Sequence, residues 1–552
     1  MINWVAFASI LFTCVLSGLI INKYSSSKAR NKVLHFSVFL GFTSAFCLIG
    51  LVPYDIYITK NSRYASSDSQ LFIMWQVLFW ISFMLCWFLL PIIRIYEISG
   101  QFNWKSKIKN SIYTQLKEFL VVGIIGLGLL IFILVKSLVN IKDLPKLLAF
   151  LSNTWGLFLI MVFLGYGVVA VPRHFWKEAD FRANMCFLYV RLVNVDEEVT
   201  LASGSLDDCV KKICAACIKV PRDSLLHDQI EEVFNLCPVS LREYHMSRPL
   251  NDIVVGVVTE SRLAEFHSNL KVSLVEYKRA KCEWTKCIKD IIEAEDIIKA
   301  EHSPNKRIEY SLRPNSNRSG FVEYIDWVYT LKVKPVLYKF LSVVFTLLSI
   351  LVILGETTMF LDFPIGVFPL LVKQDFGLYV SQLLTLFPLG YIIFCTYFAF
   401  FNLKLPGLYG MYTKNTEPCS LAYCAFYLTR LSAPLALNFF YLVKVTDAVF
   451  WDVIVSSNAV GSMFEALNTY FPISLLVFAL LNYLNTYSKI LSLLGVNQLS
   501  FIDETASYKI QEGKTLVKRE KINFEKDLKK FTDWEMSSLE IMKDSGYGVS
   551  KL

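Results

Sequence analysis

Polar and apolar positions segregate along this chain in blocks of about twenty residues. Apolar runs occupy about 3–21, 33–52, 71–92, 118–136 and 153–176, and four more occupy about 336–360, 377–402, 420–443 and 466–492. Each is close to the length that crosses a ~30 Å hydrocarbon layer as a helix rising 1.5 Å per residue. The run from Asn153 to Trp176, NTWGLFLIMVFLGYGVVAVPRHFW, closes on Pro172, Arg173 and Trp176, residue types that anchor a helix at a membrane surface. It feeds a charged stretch of roughly 160 residues. The pattern predicts an all-α, polytopic membrane protein with about nine transmembrane helices, five before the insertion and four after it. Four regions follow: a first membrane half (1–172), a helical insertion (173–335), a second membrane half (336–495) and a charged tail (496–552).

Inside the insertion the apolar period changes. One heptad position reads Leu263, Leu270, Tyr277, Trp284, Ile291 and Ile298, and the position three residues on reads Phe266, Ser273, Ala280, Cys287 and Ala294. A large row beside a small row over five heptads predicts a packed coiled-coil helix and a candidate partner-binding seam. The stretch from Phe175 to about Leu201 is its candidate antiparallel partner, with shorter helices around Asp207–Val220 and Asp228–Leu236 between them. Folding back within one chain and pairing two chains give the same heptads, so a homo-oligomer stays open. Residues 302–319 read as a linker, and its sequon Asn317-Arg318-Ser319 is expected to stay unmodified on the cytosolic side.

Composition supports the membrane assignment. The chain of 552 residues is 54% hydrophobic and 18% charged, where a soluble protein carries about a quarter charged residues. Its net charge of +8 sits mostly in short loops and the tail, which suits an anionic cytoplasmic lipid face rather than nucleic acid. No basic residue precedes the first run, while Lys23, Lys28, Arg30 and Lys32 follow it, so a retained anchor with its N-terminus outside is expected. Short loops carry about eleven Lys/Arg on one side against about seven on the other, which points the same way and puts the C-terminus in the cytosol.

Candidate chemistry is sparse. The chain has no His-Glu-x-x-His, P-loop or Gly-x-Ser-x-Gly elbow, so no enzyme and no cofactor is expected. Gly123, Gly126 and Gly128 lie within an apolar run and read as close helix packing. Cys209, Cys214, Cys217 and Cys237 include one C-x-x-C without a second close pair, so reduced thiols rather than a metal site are expected, and no disulfide.

Two of the charges within the apolar runs stand out. Arg430 sits mid-run ahead of Pro434 and Asn438, and Glu356 lies towards the outer end of its run. An ionisable group at bilayer depth is costly unless paired or hydrated. Arg430, Asn438 and Glu356 therefore form the candidate intramembrane polar site. Arg430 either meets a carboxylate or phosphate in a cavity, or is satisfied by helix carbonyls, Asn438 and the group freed at Pro434. Glu356 reads as reaching the outer interface. In the tail, Lys514, Lys518, Arg519, Lys521, Lys526, Lys529 and Lys530 at helical spacing read as a helix lying on anionic lipid or on a partner, or simply solvated.

An ordered set of short motifs resembles the LMBR-like (limb-region-like) membrane proteins, most nearly the LMBR domain-containing protein 2 branch. The matching residues are Val52-Pro53-Tyr54-Asp55-Ile56, Trp87-Phe88-Leu89-Leu90-Pro91 with Gly100 and Phe102, and Asn153-Thr154-Trp155-Gly156-Leu157. Further on come Gly165-Tyr166-Gly167 with Pro172-Arg173 and Trp176, then Glu356-Thr357-Thr358-Met359-Phe360. The set ends with Arg430-Leu431-Ser432-Ala433-Pro434, Asn438-Phe439 and Glu512-Gly513-Lys514 with Lys518-Arg519-Glu520. Ala170 stands where the family is expected to carry an acid before Pro-Arg, and the insertion matches least.

The resemblance implies nine spans and an outside N-terminus. It also implies roles seen in the family: a lipocalin-interacting endocytic receptor, a lysosomal protein needed for cobalamin export, and regulation of adrenergic-type G-protein-coupled receptors. The expected function is a receptor-like scaffold regulating signalling or trafficking through its cytosolic coiled coil. The alternative is a small-solute transporter or accessory subunit with a polar site near Arg430. Expected partners are membrane lipids and membrane receptors or trafficking and signalling proteins. The plasma membrane is favoured over endosomal or lysosomal membranes.

Overall fold

The computed structural model describes residues 4–26, 31–60, 69–135, 144–221, 226–247, 257–312, 320–361, 366–374, 378–403, 410–445, 447–454, 469–484 and 508–522. Every regular element among them is a helix. In chain order these are α1 (Trp4–Tyr24), α2 (Lys32–Phe46), α3 (Leu48–Lys60), α4 (Ser69–Met84), α5 (Leu90–Ile98), α6 (Trp104–Val135) and α7 (Leu144–Glu178). The middle of the chain forms α8 (Phe181–Lys219), α9 (His227–Leu236), α10 (Val239–Met246), α11 (Glu260–Glu301) and α12 (Gly320–Val328). Then follow α13 (Lys334–Thr357), α14 (Val367–Lys373), α15 (Leu378–Asn402), α16 (Pro418–Leu442), α17 (Val449–Ile454) and α18 (Ser474–Tyr483). A tail helix covers 508–522.

Six helical stretches among the described residues are long and apolar enough to cross a membrane: Phe7–Tyr24, Lys32–Lys60, Gln70–Ile98, Thr154–Glu178, Gly320–Thr357 and Val380–Asn402. The fourth, eighth and ninth expected runs fall on α6, α16 and α18. Several ends differ from expectation. The second run ends at Lys60 because Pro53 stays inside α3, and Pro172 stays inside α7. Neighbouring helices and local adjustments can satisfy the carbonyl that a proline frees within a bundle, so the proline need not end the helix. The fourth helix starts well before its apolar run, with Lys105, Lys107 and Lys109 in the first turns of α6. The sequence Asp207–Val220, expected as a separate piece, continues α8 through Lys219. The sequon at Asn317 lies outside the described residues.

The chain divides into two units. The larger one comprises residues 1–176, 202–282 and 338–500, and α16 is its central helix. Nineteen of the twenty-five residues of α16 are buried, including Leu431, Leu435 and Phe439. It packs on α2 and α5, and in smaller areas on α3, α4 and α15. A helix shielded on most sides by protein can carry polar groups that lipid would not tolerate. Thr429 uses this shelter: its hydroxyl donates to the Gly41 carbonyl of α2 at 3.1 Å.

The same unit contains the first half of α11 and the second half of α8. Leu263 and Leu270 are buried in one apolar cluster with Leu206, Val210, Ile213 and Cys214, and Tyr277 packs at its edge. Burying each leucine side chain contributes roughly 1.5–3 kcal/mol.

The second unit comprises residues 177–201, 283–337 and 501–552. Here Trp284 and Ile291 are buried in a cluster with Leu188, Leu192, Val195 and Val517, while Ile298 is half-buried. Polar ties between the helices run antiparallel: Arg182 to Glu301 at 3.2 Å and Arg191 to Glu283 at 3.1 Å. The tail helix is docked in this unit rather than lying free. Lys521 pairs with Glu295, Lys509 donates to Asn194 at 3.1 Å, and a Cβ on Gly513 would stand 2.5 Å from the Tyr189 carbonyl. Only glycine permits that backbone approach.

Candidate functional site: polar groups inside the bundle

The sequence placed Arg430, Asn438 and Glu356 in one site. The structure keeps Asn438 and Glu356 together and sets Arg430 apart. Asn438 follows Arg430 by eight residues on α16, roughly 12 Å along the helix axis. Glu356, at the end of α13, does not reach an interface: it is fully buried and accepts from Asn438 Nδ2 at 2.6 Å. The second oxygen of Glu356 and the Asn438 carbonyl oxygen have no hydrogen-bond partner among the described residues.

Arg430 meets neither Asn438 nor a carboxylate within the described residues. Its guanidinium lies 5.0 Å from the centre of the Trp87 ring and 6.0 Å from that of Phe426, and Cys86 lines the same cavities. A cation held over aromatic faces gains attraction without being neutralised. Local sequence explains the receiving surface. Pro91 has no N–H to offer the Trp87 carbonyl, and the chain answers with one wide π turn, Leu85–Leu89, before α5.

Two cavities flank Arg430. One, of about 90 Å³, is lined by Trp75, Ser82, Phe83, Ser432 and Pro434. The other, of about 230 Å³, lies between α5, α6 and α16 and is lined by Trp87, Arg94, Gln115, Glu118 and Phe426. Arg94 faces Glu118 at 3.3 Å and sits 5.8 Å from the Tyr423 ring centre. Gln115 is 6% exposed, and its side-chain oxygen has no partner among the described residues.

A third ionisable group was missed by the sequence reading. Asp55 of α3 is fully buried and its two oxygens are saturated. It accepts from Trp75 Nε1 at 2.9 Å, from the backbone N–H groups of Val449 and Phe450 at 3.1 and 3.0 Å, and from Thr59 at 3.4 Å. Its carboxylate thereby caps the start of α17. The available signal was Trp75: an indole deep in a span has a donor and needs an acceptor.

At the α5 end of the larger unit, α11 grips the turn 99–103. His267 Nδ1 donates to the Gly100 carbonyl at 2.8 Å, Ser268 to Ile98 at 3.1 Å, and Lys271 to Ser99 at 2.9 Å. The rings of Phe102 and His267 stack at 5.2 Å. A Cβ on Gly100 would stand 1.8 Å from the Ala264 carbonyl, so glycine is required for this approach. Lys278 of α11 also pairs with Glu417, the residue before α16, at 2.9 Å. Burial, with Lys271 and Lys107 nearby, pushes the His267 imidazole down to about 4, so it is neutral near pH 7. Burial and Lys107 lower Lys271 to about 8.

The insertion's cysteines lie in an apolar setting. Cys214 and Cys237 are buried in the first cluster, and burial raises their thiols to about 11 and about 12. Cys209 lies 3.4 Å from the Ser273 hydroxyl. Among the described residues no three His, Cys, Asp or Glu side chains gather as metal ligands.

Comparison with known proteins covers nearly the whole chain. The protein is similar to the G-protein coupled receptor-associated protein LMBRD2 of Gallus gallus, 23% identical over 93% of this chain and 83% of the relative. It is similar to the LMBR1 domain-containing protein 2 homolog of Drosophila melanogaster, 25% identical over 81% of this chain and 68% of the relative. The LMBR1 domain-containing protein 2 homolog A of Dictyostelium discoideum is 25% identical over 92% of this chain and 77% of its own length. No solved structure matches. The family model for LMBR1-like membrane proteins matches residues 2–487, and with its apolar helices the chain is a multi-pass member of the LMBR1-like membrane protein family.

Proposed function

We propose that this protein is a membrane scaffold that associates with G-protein-coupled receptors and regulates their signalling or trafficking through its helical insertion. The observation that carries this reading is the alignment, over 93% of the chain, with a relative named as receptor-associated. The clamp between α11 and the turn 99–103 supports it, because a load on that helix bears directly on the end of α5. The heptad seam itself is spent on internal packing: Leu263, Leu270, Trp284 and Ile291 are buried. A partner would meet the outward residues instead, such as the exposed Lys286, Lys289 and Lys299.

Proximity labelling from the full chain in its own cells tests the proposal, compared with a variant in which those three lysines become glutamate. Receptors of this class among the labelled neighbours, lost in the charge-reversed variant at unchanged membrane delivery, support it. Their absence around the unaltered protein overturns it, and their persistence around the variant overturns the insertion's part in it.

The cavities beside Arg430 favour a second reading, a solute transporter or its accessory subunit. The larger cavity, about 230 Å³, falls below the ~300–1,000 Å³ of a site for a drug-sized molecule. It would admit a small polar group, not a cobalamin-sized cargo. Uptake and export of small solutes with Arg430→Ala against the unaltered protein decide this reading.

A further inference from the structure

We infer that the cavity between α5, α6 and α16 is a binding site for the headgroup of a membrane phospholipid, specifically a phosphodiester bearing an N–H or O–H donor. The inference is independent of the receptor reading. Its chemistry follows from what the cavity presents. Arg430 has an aromatic setting and no carboxylate partner within the described residues, and Arg94 shares the cavity with it. Two guanidinium groups around one small space suit a phosphate, whose oxygens they can meet in paired hydrogen bonds.

One carboxylate, Glu118, already faces Arg94, so a net positive charge remains for an anion. Gln115 supplies the second half of the recognition. It is more than nine-tenths buried and lines the cavity, and its side-chain oxygen accepts from nothing among the described residues. A buried acceptor without a donor costs free energy that a ligand N–H or O–H would recover. Ethanolamine, serine, glycerol and inositol headgroups carry such a donor beside the phosphodiester. Choline does not, which makes it the discriminating control.

Placement favours a lipid over a soluble phosphate. Arg94 lies four residues before the end of α5, about 6 Å along the axis. Outside the cavity, α6 presents Tyr113, Leu116 and Leu120 at 68%, 58% and 61% exposure, a surface suited to acyl chains. One turn or more earlier, α6 carries Trp104, Lys105, Lys107 and Lys109, the side-chain types found at headgroup level. Glu118, half exposed, marks the mouth of the cavity.

The test uses the full chain in nanodiscs, with lipid occupancy read by native mass spectrometry after dilution into detergent. The unaltered protein should retain phosphatidylethanolamine at least tenfold over phosphatidylcholine. Arg430→Gln should lower retention of both lipids about tenfold. Gln115→Leu, which removes an unpartnered acceptor and so leaves folding intact, should abolish only the preference between them. Equal retention of the two lipids by the unaltered protein overturns the inference, as does retention unchanged in Arg430→Gln. Soluble glycerophosphoethanolamine is the remaining arm: saturation of the site by it at micromolar concentration would make the ligand a free phosphodiester and overturn the lipid assignment.

Discussion

Asp55 and Arg430 lie in the same bundle, and both carry a formal charge into apolar surroundings, yet their environments are opposites. Asp55 has no unused oxygen: an indole, two backbone amides and a hydroxyl converge on it. Arg430 has cavities on two sides, aromatic faces, one thiol and no counter-charge within the described residues. A buried charge whose hydrogen-bonding capacity is consumed internally is a structural joint. One left with capacity and room is available to something else. Composition cannot make this distinction, because each is a single charge among apolar neighbours.

The sharpest way to break the comparison is to truncate the joint. Asp55→Ala strands the Trp75 indole N–H and two backbone amides in a dry interior, at a cost of about 3–5 kcal/mol. The expected outcome is loss of most monodisperse protein in detergent. A variant that extracts and melts like the unaltered chain would show that Asp55 is not a joint.

Next in size is the clamp at the α5 end. Gly100→Val drives a side chain into the Ala264 carbonyl and forces the turn 99–103 off α11, a change of about 2–4 kcal/mol by the usual scale of severe backbone clashes. Hydrogen exchange across Leu263–Leu274 should accelerate while the exchange of α16 stays slow. Equal acceleration in both would mean that the clamp cannot open separately from the bundle.

A smaller effect comes from pH. Above about pH 6.5 His267 is neutral with the clamp open or closed and adds no pH dependence, while Lys271 is protonated in both forms below about pH 7. As pH falls from about 6.5 towards 4, the opened form takes up a proton that the closed form refuses. Closing weakens by up to about 1.4 kcal/mol per pH unit in that window. Faster exchange of Phe266–Lys271 at pH 5 than at pH 7, corrected for intrinsic rates, is the expected reading, and His267→Phe should flatten it.

The smallest stability effect is expected at Arg430. Arg430→Gln should shift stability by less than about 1 kcal/mol, because its cation–π contacts are traded against an easier desolvation. A thermal melt of the variant in detergent checks this. A loss as large as that from Asp55→Ala would collapse the distinction between the two sites.

The order of apolar runs was legible because bilayer thickness imposes one length scale on sequence. So was the heptad row, whose members Leu263, Leu270, Trp284 and Ile291 are buried as a helix period requires. Less legible were the places where neighbours overrule a local rule. The second run was bounded at about residue 52, whereas α3 carries Pro53 inside it and continues past Asp55 to Lys60. The run at about 118–136 did not show that its helix starts at Trp104, with Lys105, Lys107 and Lys109 in its first turns, because charge does not interrupt a helix whose start projects beyond the apolar layer. Trp75 lay in an apolar run with nothing beside it in sequence to show the acceptor its indole meets. The cavity was out of reach, since Arg94, Gln115 and Arg430 come from three segments and only packing brings them together.

The joint at Asp55 has a consequence for synthesis. Its amide donors, Val449 and Phe450, follow it by 394 and 395 residues. At roughly 5–20 residues per second, a ribosome needs on the order of 20–80 s to deliver them. Throughout that interval the nascent first half holds an acid that has only Trp75 and Thr59 to bind, and α3 cannot be fully at home in its final place. Any truncation before α17 leaves it so permanently. The carboxylate therefore marks an unfinished chain for as long as it is unfinished, and arrival of the second half erases the mark.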